Sequence, residues 1–191
     1  MRQTNEMRSG RSATGFSLIE MMIVVVLISI MAAMAMYSIV GALPNIRVNN
    51  GLNVAMNVVK NGKYLAVSQR RNYQLMFAPP ARLWLRRLNV PAGFTDLPPV
   101  DLPGGVQFIL FPNIIDTPDG YGNAAAIDFR GTPTQTFMSN EQFVNAAGQF
   151  LDGTIYVGIP GNSATQRAIT ISGATGRIRA YRWNGASWLE Y

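Results

Sequence analysis

The sequence predicts an α+β protein in which one long N-terminal helix packs on a C-terminal antiparallel β-sandwich-like domain. Two changes of pattern indicate this fold. Residues 21–40 form an uncharged apolar run that is long enough to cross a hydrocarbon core as a helix. Helical spacing of apolar residues then continues to about Arg71. From Tyr73 onward the period changes to two, which is typical of strands.

These patterns divide the chain into four segments. Residues 1–15 are a polar leader, 16–43 a transmembrane helix, 44–71 the amphipathic second half of that helix, and 72–191 a β-rich domain. The leader carries Arg2, Arg8 and Arg11 against one acid, Glu6. By the positive-inside rule, we expect the leader in the cytoplasm and the domain on the other side of the membrane.

The amino-acid composition excludes several classes of catalytic and metal-binding site. The 191 residues carry a net charge of +6 and contain neither cysteine nor histidine. No Ser-His or Cys-His nucleophile and no zinc site of the usual kind can therefore be assembled. The acids of residues 116–123 could bind calcium, but they lack the spacing of a calcium loop and are interpreted as turn residues. We expect no enzyme activity, no cofactor and no metal.

Glu20 is the only charged side chain between Arg11 and Arg47. A carboxylate near the start of a spanning helix costs about 2.5–3.5 kcal/mol on insertion scales. If a peptidase cuts after Gly15, Phe16 acquires a free α-amino group one helical turn before Glu20. The two opposite charges would then neutralise each other, within one chain or between packed neighbours.

The run Gly15-Phe16-Ser17-Leu18-Ile19-Glu20 closely resembles the prepilin peptidase site of the type IV prepilin family. The resemblance implies cleavage between Gly15 and Phe16, N-methylation of Phe16, and a role for Glu20 in subunit assembly. One alternative is a simple signal anchor, which leaves Glu20 unexplained. Another is a secretory signal cut after Ala33-Met34-Ala35, against which stand the acid in the apolar run and the helix formers beyond the cut.

The second half of the helix is predicted from weaker signals. Pro44 is expected to kink the helix or to mark its exit from the membrane. Gly51 and Gly62 weaken the helix, so a local break there is possible. The apolar stripe expected on the domain core consists of Ile46, Leu52, Met56, Val59 and Val67.

The domain is predicted to be an antiparallel sandwich of short strands, because turn signals separate them at regular spacing and no helical stretch intervenes. Asn184-Gly185 is a signal for a two-residue hairpin turn. The expected strands cover residues 73–77, 82–88, 106–111, 125–130, 134–138, 154–159, 167–171, 177–183 and 187–191.

The C-terminal motifs resemble the GspH/FimT group, the minor pseudopilins of type II secretion and minor pilins of type IV pili. The resemblance implies a pilin-like fold. It does not distinguish between the two branches. It implies a minor subunit of a type II secretion pseudopilus or a type IV pilus, at or near the filament tip, with prepilin peptidase, other pilins or pseudopilins and the inner membrane as partners. Of the two roles we expect protein secretion. The motifs are Phe129-Arg130-Gly131, a strand led by Gly153, a hairpin with Arg167, and Gly176-Arg177-Ile178-Arg179.

The arginines of the last motif suggest an alternative function. Strand alternation places Arg177 and Arg179 on one face, with Tyr181 beside them. Two guanidiniums about 6–7 Å apart match successive phosphates, and a neighbouring aromatic ring could stack a base. In minor pilins that serve DNA uptake, a Gly-Arg-x-Arg motif at this place is implicated in DNA binding. The alternative is thus a tip minor pilin that binds DNA in natural transformation, although a solvated strand face predicts the same pattern.

Overall fold

The computed structural model describes residues 15–191, without the side chains of Tyr37 and Ser38. The leader arginines therefore lie outside the described residues. Within them the chain forms one helix, α1 (Leu18–Ser68), followed only by strands. The strands are β1 (Tyr73–Ala78), β2 (Arg82–Leu88), β3 (Phe94–Asp96), β4 (Val100–Asp101), β5 (Gln107–Phe108), β6 (Ile127–Asp128), β7 (Thr136–Phe137), β8 (Phe143–Val144), β9 (Gly153–Ile159), β10 (Asn162–Ile171), β11 (Ile178–Trp183) and β12 (Trp188–Glu190).

The chain forms two compact units, which divide between Gly41 and Ala42. In the first unit, the described side chains of α1 are apolar with few exceptions and are exposed. This segment is long and apolar enough to cross a membrane. Hydrocarbon lipid tails would cover such a surface at no cost in hydrophobic free energy, so the segment is a candidate membrane anchor.

In the second unit, α1 buries one stripe of side chains on the sheets. Its members recur every three or four residues, which keeps them on one side of the helix. Ile46 and Val67, which the sequence analysis places in this stripe, are 53% and 38% exposed. Small residues take much of the contact instead, and they contribute little to an apolar pattern. The stripe consists of Val48, Leu52, Ala55, Val59, Gly62 and Ala66.

Gly51 and Gly62 mark close approaches of the helix rather than a break in it. A Cβ atom at Gly51 would lie 2.8 Å from the side chain of Val106, and one at Gly62 would lie 2.7 Å from Leu85. Neither space admits a side chain without a shift of the neighbour. The helix continues through both glycines and through Pro44. It ends at Ser68, earlier than expected. Two residues later, Arg70 takes a positive φ of 50°, which a right-handed α-helix does not accommodate.

The strands form two antiparallel sheets. Sheet 1 has the order β3-β2-β1-β7-β8, with β4 also paired to β2. Sheet 2 has the order β12-β11-β10-β9-β5, with β6 also paired to β9. The β11–β12 hairpin pairs Trp183 with Trp188, so its loop has four residues and not the expected two. The Asn184 side chain accepts hydrogen bonds from the amides of Ala186 and Ser187, which closes this longer turn.

The main hydrophobic core lies between α1 and the inner faces of both sheets. Sheet 1 contributes alternate residues such as Leu83 and Leu85, and sheet 2 contributes Ile155, Val157 and Ile169. This alternation is the period of two that the sequence shows. The predicted fold class, a long N-terminal helix packed on an antiparallel β-domain, is confirmed.

The outer face of sheet 2 is covered by residues 109–126, here called the covering segment. The predicted strand 106–111 is reduced to Gln107–Phe108, because the chain leaves the edge of β9 after β5, crosses the outer face, and returns to the same edge as β6. A second hydrophobic cluster lies beneath the crossing. It contains Ile114, Tyr156, Ala168, Tyr181, Trp183 and Trp188.

Hydrogen bonds fasten the covering segment to this cluster. The indole Nε1 of Trp188 donates to the carbonyl oxygen of Ile115 at 2.8 Å. The hydroxyl of Tyr156 donates to the carbonyl oxygen of Gly122 at 3.0 Å. Burial, together with the nearby carboxylate of Asp116, raises the pKa of Tyr156, which therefore stays a neutral donor. The segment is thus part of the packed structure and not a loose loop.

Candidate functional site

The predicted cleavage junction lies in non-helical backbone directly before α1. Gly15, Phe16 and Ser17 have no regular secondary structure, and the helix begins at Leu18. The Phe16 side chain is 76% exposed. Exposed backbone outside secondary structure is where proteases reach a chain most easily. By contrast, the rival cut after Ala35 would fall inside the helix.

Ser17 and Glu20 together form the start of the helix. The Oγ of Ser17 accepts a hydrogen bond from the backbone amide of Glu20 at 3.2 Å, which makes Ser17 the N-cap and Glu20 the third helical residue. A serine with a glutamate three residues later is the spacing of a capping box. A carboxylate in the first turn also interacts favourably with the helix dipole. The sequence analysis missed this role, although the Ser-x-x-Glu spacing was visible in it.

Comparison with known proteins bears on this junction. The model of one protein family, the prokaryotic N-terminal methylation motif, matches residues 10–36. Residues 10–36 thus carry a prokaryotic N-terminal methylation motif. This motif contains the Gly15–Phe16 bond, the Ser17 cap and Glu20. No curated protein matches the chain.

One solved structure with a similar chain is the minor pseudopilin EpsH from the type 2 secretion system of Vibrio cholerae. The two chains are 14% identical, and the match covers 74% of this chain and 99% of that one with a TM-score of 0.49.

Arg177 and Arg179, the predicted DNA-contacting pair, lie together at the start of β11 and face a carboxylate. The Nη1 of Arg179 is 3.2 Å and the Nη2 of Arg177 is 3.6 Å from Oδ1 of Asp119. The Nε of Arg179 also lies 3.2 Å from Oε1 of Glu190. Two acids therefore oppose the two guanidiniums, and much of the charge that would attract a phosphate is offset.

Asp119 belongs to the covering segment, and its side chain is only 7% exposed. Its other oxygen, Oδ2, accepts hydrogen bonds from the hydroxyls of Tyr181 at 2.9 Å and Thr170 at 2.6 Å. Three side chains of sheet 2, together with that of Arg177 directly before β11, thus converge on one carboxylate. The sequence analysis interpreted Asp119 as a turn residue, because its partners lie 51 or more residues away.

Tyr181 is not available to stack a base. It shares a face with Arg179, as predicted, but it is 2% exposed beneath the covering segment. Burial raises the pKa of its hydroxyl. The expectation that Tyr181 offers a stacking surface beside the arginines is therefore wrong, because the covering segment lies over it.

Arg167 is a buried cation that the sequence analysis treated only as part of a hairpin. It is 1% exposed. Its Nη2 donates to Oδ1 of Asn45 at 3.1 Å and its Nε donates to the Tyr191 hydroxyl at 3.0 Å, while Nη1 donates to the carbonyls of Ala164 and Gln166. Among the described residues it has no carboxylate partner. By donating to these amide, hydroxyl and carbonyl oxygens, the Arg167 guanidinium links the helix, β10 and the residue after β12.

Proposed function

We propose that this chain is a minor pilin or pseudopilin subunit of the GspH/FimT group. In this proposal prepilin peptidase cuts between Gly15 and Phe16, and the new amino group of Phe16 is methylated. The observation that carries it is the junction, a non-helical and exposed Gly15–Phe16 bond directly before a Ser17-capped helix with Glu20 in its first turn. The methylation motif matched over the same residues supports it.

Cleavage would change the electrostatics of the helix start. The new amine of Phe16 precedes the N-cap, and Glu20 is the third helical residue, so the two charges meet on the first turn or between neighbouring subunits. In a membrane or filament core such a pair neutralises both charges. Removing one partner leaves the other buried and unpaired, which costs about 3–5 kcal/mol.

The remaining parts of the proposal rest on the apolar helix, on the arginines of the leader and on the resemblance of the C-terminal motifs. Residues 16–43 would anchor the subunit in the inner membrane, with the leader in the cytoplasm and the β-domain 72–191 in the periplasm. The subunit would then join other pilins or pseudopilins at or near the tip of a filament. We place it in protein secretion by a type II system; a secretion defect on deletion supports this branch, and loss of pilus function alone contradicts it.

Processing is tested by N-terminal sequencing and intact mass of the membrane-extracted protein. We expect a chain that begins at methylated Phe16. The Gly15→Ala variant should accumulate as the longer form, because the peptidase site is altered while the helix cap is not. A mature chain that begins at Met36 would contradict the proposal and establish a secretory signal.

Assembly is tested by Glu20→Ala, with Glu20→Asp as the matched variant that keeps the charge. Glu20→Ala should insert into the membrane at least as well as wild type, because it removes a carboxylate from the apolar span. It should fail to enter filaments, while Glu20→Asp retains part of the wild-type level. Wild-type incorporation of Glu20→Ala would refute the charge pairing.

The alternative function, DNA binding at a pilus tip through Arg177 and Arg179, has no structural observation in its favour. The pair faces Asp119 and Glu190, and Tyr181 is buried. DNA contact stays a prediction.

A further inference from the structure

The second unit has one end at which the chain continues into the apolar segment. There β10 brings Arg167 against Asn45, and the hydroxyl of Tyr191 donates to Oδ1 of Asn49 at 2.7 Å. On another side of the helix, a Cβ atom at Gly104 would lie 3.1 Å from the Cβ of Arg47. Strand pairing places Arg182 next to Arg167 and Leu189 next to Arg182. We call the exposed residues around this end of the helix the helix-entry surface; they are Arg182, Leu189 and Tyr191 on one side of the helix and Arg47 on the other.

Among the residues that the structure describes, the two exposed arginines of this surface are in none of the ion pairs. Arg47 and Arg182 are exposed, and within residues 15–191 the ion pairs of the chain involve other cations. The buried Arg167 adds a third guanidinium held by neutral oxygens. This differs from the Arg177 and Arg179 cluster, where two acids stand within 3.6 Å. The surface therefore attracts anions.

Its other side chains suit a membrane interface. Leu189 is 43% exposed and lies on the same strand face as Arg182. Tyr191 is 61% exposed although its hydroxyl is hydrogen bonded. Guanidinium, aromatic and aliphatic groups side by side are the combination found at the headgroup level, where long cationic side chains lie along apolar surface and keep their charge in water.

Arg47 is the member of the surface that lies nearest to the apolar segment along the chain. The predicted transmembrane segment 16–43 ends at Leu43. Arg47 follows four residues later, which is about 6 Å along a helix. That distance is shorter than the Debye length of about 8 Å at physiological ionic strength. We propose that the helix-entry surface docks on anionic phospholipid headgroups. The inference rests on the proposed function, because it requires the apolar helix to lie in the membrane.

Docking would hold the domain against the bilayer before the subunit enters a filament. Each arginine close to an anionic surface favours the docked state by about fivefold. Two exposed arginines therefore favour it by about 25-fold if their contributions add. A neutral bilayer offers none of this attraction.

The test uses the full chain in lipid nanodiscs of phosphatidylcholine, with or without phosphatidylglycerol. Energy transfer from tryptophan to a dansyl-labelled lipid headgroup reports the approach of the domain, since Trp183 and Trp188 flank the loop next to Arg182. We expect more transfer with phosphatidylglycerol and a loss of the difference at high salt. Co-elution of the chain with the discs reports insertion separately.

A matched pair of variants assigns the effect. Arg47→Gln with Arg182→Gln should abolish the difference between the two lipids. Arg70→Gln with Arg71→Gln removes the same charge from exposed positions beyond the other end of the helix and should keep it.

Equal transfer in both lipids, or equal loss in both pairs of variants, would overturn the docking. Failure of wild type to co-elute with the discs would instead overturn the membrane anchor of the proposed function, and the docking with it.

Discussion

On the outer face of sheet 2, the covering segment buries four aromatic side chains. One of them, Tyr181, donates a hydrogen bond to Asp119 of the segment. On the outer face of sheet 1, the charged side chains are partly or largely exposed to solvent. There Arg82 pairs with Asp101 at 2.7 Å and Arg86 pairs with Asp96 at 2.6 Å, both with exposed acids. The guanidinium of Arg86 also lies 4.0 Å from the ring centre of Phe94.

The same chemistry, arginine with carboxylate, thus serves two purposes. Water and salt weaken the exposed ion pairs of sheet 1, which therefore contribute little to the free energy of folding. Asp119 is nearly inaccessible, so its removal would leave the hydroxyls of Tyr181 and Thr170 without this acceptor and would weaken the attachment of the covering segment. Shorter distances in sheet 1 do not mean greater stabilisation. Burial decides which pair matters.

The largest effect is expected from Asp119→Ala. Tyr181 and Thr170 lose their acceptor together, and Arg179 keeps only Glu190 as a carboxylate partner. We expect a loss of about 3 kcal/mol in the free energy of unfolding, since the arginines remain partly hydrated. Urea unfolding of the detergent-solubilised chain, followed by tryptophan fluorescence, measures it. Asp119→Asn keeps an acceptor oxygen and should lose less. Equal losses in both variants would show that shape, and not the carboxylate, fastens the segment.

A smaller loss is expected from Trp188→Phe. The ring stays large and apolar, but the carbonyl of Ile115 loses its donor, which costs about 1 kcal/mol. Trp84→Phe is the matched substitution on the partly exposed outer face of sheet 1 and should change stability by less than about 0.5 kcal/mol. The same urea titration compares them, and equal losses would mean that the two faces do not differ.

A still smaller effect is expected from pH acting on sheet 1. Hydrogen bonds from Arg86 and Arg82 lower the pKa values of Asp96 and Asp101. A carboxylate whose pKa is lowered on folding stabilises the protein above its unfolded pKa of about 4, and that contribution is lost as the pH falls further. Asp96→Asn with Asp101→Asn should therefore flatten the fall in thermal midpoint below about pH 4 by a small amount. An unchanged slope would show that neither ion pair persists in solution.

The smallest effect is expected in DNA binding. If Arg177 and Arg179 contact phosphates, fluorescence anisotropy at low salt should show weak binding that salt removes, with little sequence preference. Asp119→Asn should strengthen it by uncovering charge, and Arg177→Gln with Arg179→Gln should abolish it. Wild-type protein that does not bind at low salt would end the DNA hypothesis. Undiminished binding by the double variant would move the contact elsewhere, with Arg82, Arg86 and Arg87 the next candidates.

The extent of prediction from sequence differs between the parts of the fold. Strands with a clear period of two, such as β1, β2 and β9, are present close to their expected bounds. The helix stripe was predicted only in part, because Ala55, Gly62 and Ala66 make contact through small size and not through hydropathy. The placement of Arg177 beside Arg179 was predicted, while the acid between them was not.

The sequence by itself determined the features that depend on neighbours along the chain. The apolar run, the Gly15–Phe16 junction and the Ser17–Glu20 spacing are local, as is the strand alternation, because each depends on residues within a few positions. Only the tertiary structure decided what covers sheet 2 and what neutralises its arginines. Asp119 and Arg179 are 60 residues apart, and no local pattern marks the pair. Their contact exists because the covering segment leaves one edge of β9 and returns to it, which a one-dimensional pattern cannot record.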